Sequence, residues 1–167
     1  MNYKLKEIDL DMDKKEYEMF QEIPAKVSGA TNLCYGIPFE TFSNYLEQLI
    51  CNKYLKVNYY GTPTITYIMY VDDYPVGYIG LRTEIDENWR KWSGNVYYNV
   101  RPSEQNKGYA TKMLGLALLE FQKLGFKEIY TQSSNGNIAS SQLEITQLIS
   151  TQALLVILLV TRVQIPC

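Results

Sequence analysis

Between residues 62 and 101 apolar and polar positions follow the short-range patterns of β-strands, and from 110 to 124 they switch to the spacing of a helix. Thr62 to Val71 is rich in Thr, Ile and Tyr and reads as a strand, as does Val76 to Arg82. Asp72-Asp73-Tyr74-Pro75 between them is a turn, which makes the pair a hairpin. Gly94 to Arg101 is a further strand, with Val96, Tyr98 and Val100 on one side and Asn95, Tyr97 and Asn99 on the other. From Ala110 the apolar positions are Met113, Leu114, Ala117, Leu118, Phe121 and Leu124, an amphipathic helix that Gly125 terminates. Phe126 to Thr131 follows as a strand, and strand, helix, strand at this spacing implies a parallel pair with a right-handed crossover.

Upstream, residues 2 to 9 alternate Tyr3 and Leu5 against Lys4 and Lys6, with Ile8 out of phase at the end. Asp11 or Asp13 caps a helix that runs to about Ile23 and stops at Pro24. After Gly36 and Pro38 a second helix presents Phe42, Tyr45, Leu46, Leu49 and Ile50 on one face, and residues 25 to 37 join the two. Asp86, Glu87, Trp89, Arg90 and Trp92 make a charged loop that reads as solvated.

The junction between the third strand and the long helix carries the candidate chemistry. The first amides of a helix have no intrahelical acceptor, and the helix dipole adds positive potential there. A loop that turns its amides inward, with Gly108 allowing close approach and Lys107 adding charge, can cradle a phosphate. The chain has no G-x-x-x-x-G-K-[ST] loop and no G-x-G-x-x-G fingerprint. Spacing alone leaves a phosphate cradle and an ordinary strand-to-helix turn both open.

Gln105-x-x-Gly108-x-Ala110, preceded by a strand ending Val100-Arg101-Pro102, resembles motif A of the GCN5-related N-acetyltransferases (GNAT). The resemblance runs from about Tyr74 to Ser140, and Asn137-Ile138-Ala139-Ser140 fits the family's N-x-x-[AS] signature. It implies an α/β (α+β) fold with a mixed, mostly antiparallel central sheet, a splayed parallel strand pair and helices on both faces. It also implies acetyl-CoA as co-substrate and an N-acetyltransferase acting on a primary amine, small-molecule or peptide, by direct transfer. By the same resemblance the backbone of Tyr98, Asn99 and Val100 meets pantetheine. The amides of Gln105, Asn106, Lys107, Gly108, Tyr109 and Ala110 hold the pyrophosphate, and Asn137 and Ser140 lie beside the cofactor. Glu84, a carboxylate at a strand end, is the candidate base. Many members use a tyrosine after the N-x-x-[AS] helix as general acid toward the CoA thiolate; here the last tyrosine is Tyr130, so no acid is assigned. A CoA-binding but catalytically impaired protein, and a non-enzymatic interaction module, are the alternatives.

Composition narrows the chemistry. The 167 residues suit one domain, and a net charge of −2 without a basic run argues against nucleic acid. There is no histidine, which excludes Ser-His-Asp and Cys-His units and removes the usual zinc ligands; no metal is expected. Cys34, Cys51 and Cys167 are odd in number and far apart, which does not suggest disulfides. The polar N-terminus carries no leader pattern, so the expectation is a cytoplasmic protein without a membrane partner; a homodimer is left open.

After Ser140 the composition breaks: of the last 27 residues only Glu144 and Arg162 are charged. Residues 1–140 therefore read as family-like and 141–167 as an aberrant tail, with a change of reading frame expected near residues 140 to 142. The alternative is a buried terminal strand at 154 to 163.

Overall fold

The structure is a computed structural model describing residues 1–27, 30–134 and 155–161. Its centre is the hairpin of β4 (Thr64–Val71) and β5 (Tyr74–Arg82). The turn is tighter than the sequence suggests: Asp72 and Asp73 alone make it, with φ of 48° and 64°. Two successive left-handed residues match the right-handed twist of the flanking strands, and aspartate tolerates that region better than most side chains. Pro75 lies inside β5, opposite Tyr70, where the register shifts next to Met69 and no regular ladder bond is lost.

β1 (Tyr3–Glu7) pairs antiparallel with β4 from Tyr3↔Val71 to Glu7↔Tyr67. The turn receives it through Asn2 N–H to Asp72 Oδ1 (2.7 Å) and Lys4 Nζ to Asp73 Oδ1 (2.6 Å). On the far side β6 (Val96–Val100) pairs antiparallel with β5, so the four-stranded order is β1-β4-β5-β6.

Alternation sends each strand's side chains to two separate cores. One holds Met69, Ile79, Leu81 and Val96 beneath α4 (Tyr109–Lys123), which contributes Met113, Leu114, Ala117, Leu118 and Phe121. The other holds Ile68, Tyr70 and Tyr78 beneath α1 (Lys14–Glu22) and α2 (Phe42–Cys51), which contribute Met19, Phe20, Phe42 and Leu46. Helices on both faces of a mostly antiparallel sheet are thus present as expected. Ile8 explains its own phase slip, because it has left β1 and packs in the α1–α2 core, whereas Tyr3 and Leu5 face α4.

The joining segment carries a small ladder, β2 (Lys26–Val27) with β3 (Ala30–Thr31). Buried Asn32 closes it by donating to Phe20 O (2.8 Å) and Ile23 O (2.6 Å), which satisfies carbonyls at the end of α1. The charged loop differs from expectation. It contains α3 (Glu87–Trp92), nucleated by Asp86 accepting from the Trp89 amide at 2.9 Å.

β7 (Glu128–Ser134) ladders in parallel with β8 (Leu155–Thr161), while β6 and β7 belong to different sheets. β8 falls within the range anticipated for a terminal strand.

Candidate active site

β6 and β7 come together at Asn95, the residue before β6. Its N–H donates to Tyr130 O (2.6 Å), its Oδ1 accepts from Tyr130 N–H (2.8 Å), and its Nδ2 donates to Arg82 O (3.0 Å). Its carbonyl accepts from Arg82 N–H at 2.7 Å. A single buried asparagine therefore ties β5, β6 and β7 together at the start of β6. Gly94 (φ +66°) makes the approach possible, since a Cβ there would run into the Tyr130 carbonyl and come within 3.1 Å of Thr131 Cα. Beyond this apex the two strands part into separate sheets, which gives a fork.

The β5–β6 register decides what lines the fork. Arg82 N–H donates to Asn95 O and Arg101 N–H to Val76 O. Antiparallel pairs alternate, so the main chains of Tyr97 and Asn99 also face β5, and those of Tyr98 and Val100 face the β7 side. The main chain of Asn99 is turned to β5, and its side chain donates to Tyr78 Oη at 3.0 Å.

At the open end of the fork the chain curls into α4. A short 3₁₀ turn at Pro102–Glu104 leads to Asn106 (φ 63°) and Gly108 (φ 77°), two left-handed residues within three positions. Gly108 is the N-cap of α4, and a Cβ built on it meets nothing within 4 Å, so the space before the helix is open. Gln105 Nε2 closes the loop onto the strand end by donating to Val100 O (3.1 Å). Lys107 is held at 2.8 Å from Glu104, whose carboxylate raises its pKa. Tyr109 is an anchor: its ring packs edge-on against Tyr3 with centroids 6.3 Å apart.

The loop is also braced from the α1 side, which sequence reasoning missed. Arg101, 4% exposed, pairs with Glu22 at the end of α1 and donates to Pro75 O (3.3 Å). Ser103 Oγ donates to the other Glu22 oxygen at 2.7 Å. The hydrogen bond from Arg101 holds the Glu22 carboxyl below its ordinary pKa. A lowered carboxylate pKa means a contribution present above the unfolded value and lost as pH falls through the folded one. Because Glu22 is 36% exposed, the effect is modest, about 1 kcal/mol. Glu22→Gln should lower the melting temperature at pH 7 by a few degrees, and the gap to wild type should start to shrink near the ordinary carboxylate pKa of about 4.3 and close as pH falls through the lowered folded value. Melting curves across that range check this; a gap that persists at low pH would remove the ion pair as its cause.

Glu84 lies two residues beyond β5, exposed, with its carbonyl accepting from Thr62 Oγ1. It lines a cleft of about 460 Å³ on the apex side of the fork, together with Asp86, Arg90, Asn95, Glu128 and Tyr130. There Arg90 stacks 4.3 Å from the Tyr130 ring, and Tyr130 Oη donates to Glu128 at 3.1 Å. Burial pushes the Cys34 thiol up to about 12, so it is a poor acyl carrier. Asn137 and Ser140 lie outside the described residues. Among the described residues there is no cluster of metal-ligating groups and no helix long and apolar enough to cross a membrane.

The model of the acetyltransferase (GNAT) family matches residues 32–143. Solved structures share the fold. The ribosomal L7/L12 alpha-N-protein acetyltransferase RimL in complex with coenzyme A is 12% identical, with a TM-score of 0.58 and coverage of 88% of this chain and 79% of that one. The ribosomal-protein-S5-alanine acetyltransferase from Vibrio fischeri is 14% identical, with a TM-score of 0.53 and the same two coverages. No curated protein matches the chain.

Proposed function

The chain belongs to the acetyltransferase (GNAT) family, and from that premise we propose that it transfers the acetyl group of acetyl-CoA directly to a primary amine. The observation that carries this reading is the fork of β6 and β7 opening onto a curled, Gly108-capped start of α4. The amides from Asn106 to Ala110 hold the pyrophosphate, where helix dipole and unbonded donors favour anions. Gln105 and Lys107 shape and charge the loop. Pantetheine runs along the β7-facing edge of Tyr98 and Val100 as an added strand would, and Asn137 and Ser140 flank it. A main-chain amide of β6 polarises the thioester carbonyl.

The reaction needs few groups. A neutral amine attacks the carbonyl carbon, the C–N bond forms, the C–S bond breaks, and CoA leaves as thiolate. An ordinary thiol has a pKa near ~8.5, so departure without a tyrosine acid is slower than with one but feasible. Glu84 takes the ammonium proton through water from the apex cleft. The acceptors named for the two structural relatives make a protein α-amine a sensible probe beside small amines.

Thiol release from acetyl-CoA across an amine panel tests the reading, together with acetyl-CoA-dependent thermal stabilisation. The expectation is both, with Glu84→Gln lowering kcat by about 10²-fold while the thermal shift stays. Folded protein that shows neither stabilisation nor thiol release would overturn the assignment, and an unchanged Glu84→Gln rate would remove Glu84 from it.

A further inference from the structure

The described part of the molecule holds two deeply buried guanidiniums, and they are treated differently. Arg101 has its carboxylate in Glu22. Arg82, the last residue of β5 and 7% exposed, forms no ion pair among the described residues. Its Nη1 donates to Ser93 O (3.3 Å) and Gly94 O (3.0 Å), which leaves Nε and Nη2 without an acceptor there. Two rings flank the guanidinium, Trp89 at 5.1 Å and Tyr97 at 4.7 Å.

This seat is built. Gly80 lies across from Tyr97, and a Cβ there would collide with the Tyr97 ring, so the glycine gives that ring the room to lie under Arg82. Arg82 shares the sheet face of Tyr78, the α1–α2 side, while α4 fills the opposite face. Tyr97, whose ring lies by the guanidinium, is the chain neighbour of Tyr98, whose main chain faces the fork. Keeping a charge out of water is costly unless a counter-charge completes it. A guanidinium with one edge free of acceptors among the described residues and two rings beside it presents two parallel donors at the spacing of a carboxylate.

We infer that the acceptor carries a carboxylate close to its amine, and that Arg82 receives it. The substrate class is then an amino acid or a comparably short amino-carboxylate, rather than a plain amine or an amidated peptide. This inference rests on the proposed acetyl transfer. The plain alternative is that Arg82 only braces the turn at Ser93 and Gly94.

The test needs no variant to begin. Thiol release is measured with free amino acids and with their carboxamides, matched pair by pair. The expected result is a kcat/KM about tenfold or more higher for the acids, carried mainly by KM. Arg82→Gln should erase the acid preference and leave the amides unchanged, and Arg82→Lys should retain part of it. Melting curves identify a variant that fails to fold, and the wild-type comparison stands without it. Equal rates for acids and amides, or an equal loss on both in Arg82→Gln, would overturn the inference while leaving acetyl transfer intact. If no panel member turns over, tryptophan fluorescence titrated with the same pairs decides, because Trp89 stacks on the guanidinium. An acid-selective change that is absent in Arg82→Gln supports the site, and no change sinks it. Failure of the acetyltransferase reading shows separately, as loss of acetyl-CoA stabilisation.

Discussion

Gly108→Glu is expected to abolish the rise in melting temperature that acetyl-CoA gives the wild type. Gly108 has φ +77°, so any L side chain there is strained by about 1–2 kcal/mol. A Cβ meets no protein atom within 4 Å, so the new side chain projects into the space where the proposed pyrophosphate sits. A carboxylate there repels the phosphates and itself takes the helix N-terminus. Affinity for acetyl-CoA should fall by more than about 10²-fold, since both charge and geometry oppose binding. Gly108→Ala separates the two effects. It carries the same backbone strain without the charge and should keep a reduced ligand shift. The protein without ligand should stay cooperatively folded in both variants. If acetyl-CoA still raises the melting temperature of Gly108→Glu as it does for wild type, the phosphate is not held at this turn.

Gly94→Ala should give the largest loss of stability, about 3 kcal/mol or more. Its φ of +66° imposes strain, and unlike Gly108 its Cβ has nowhere to go. The atoms in the way are the main chain of Tyr130 and Thr131, which cannot swing aside as a side chain can. Relief requires β7 to move off β6, which breaks the exchange between Asn95 and Tyr130. Gly125, with φ +84° and open surroundings, provides the comparison; Gly125→Ala should cost only about 1–2 kcal/mol. Urea denaturation of both variants measures the difference. Gly94→Ala should also weaken acetyl-CoA stabilisation, because the apex sets where the strands part. Equal losses at Gly94 and Gly125 would mean that β6 and β7 are not clamped there.

Much of the site was legible in the sequence because it is local. The β4–β5 hairpin, the helix after Gly108 and the turn at Gly125 are each specified by neighbours within a few positions, through side-chain period, φ preference and capping. The Gln105-x-x-Gly108-x-Ala110 run falls where the structure turns strand into helix. Even the phase slip at Ile8 was visible, although its reason, a second core under α1 and α2, was not. The short helix at Glu87–Trp92 was masked by its charge, since six residues with an Asp86 cap carry too little period to stand out.

What the sequence determined by itself is the order of the main elements and the turn at Gly108 that leads into α4, because both depend on residues a few positions apart. The tertiary structure alone decided which main-chain groups of β6 face the fork. That follows from the hydrogen-bonding register with β5, which no residue in β6 encodes, and it turns the main chain of Asn99 to β5. It also decided that Asn95 ties three strands, that Glu22 braces a loop 79 residues away, and that Arg82 is buried without a carboxylate among the described residues. An arginine in a sequence shows its charge. Whether that charge is met depends on which distant carboxylates the fold brings beside it.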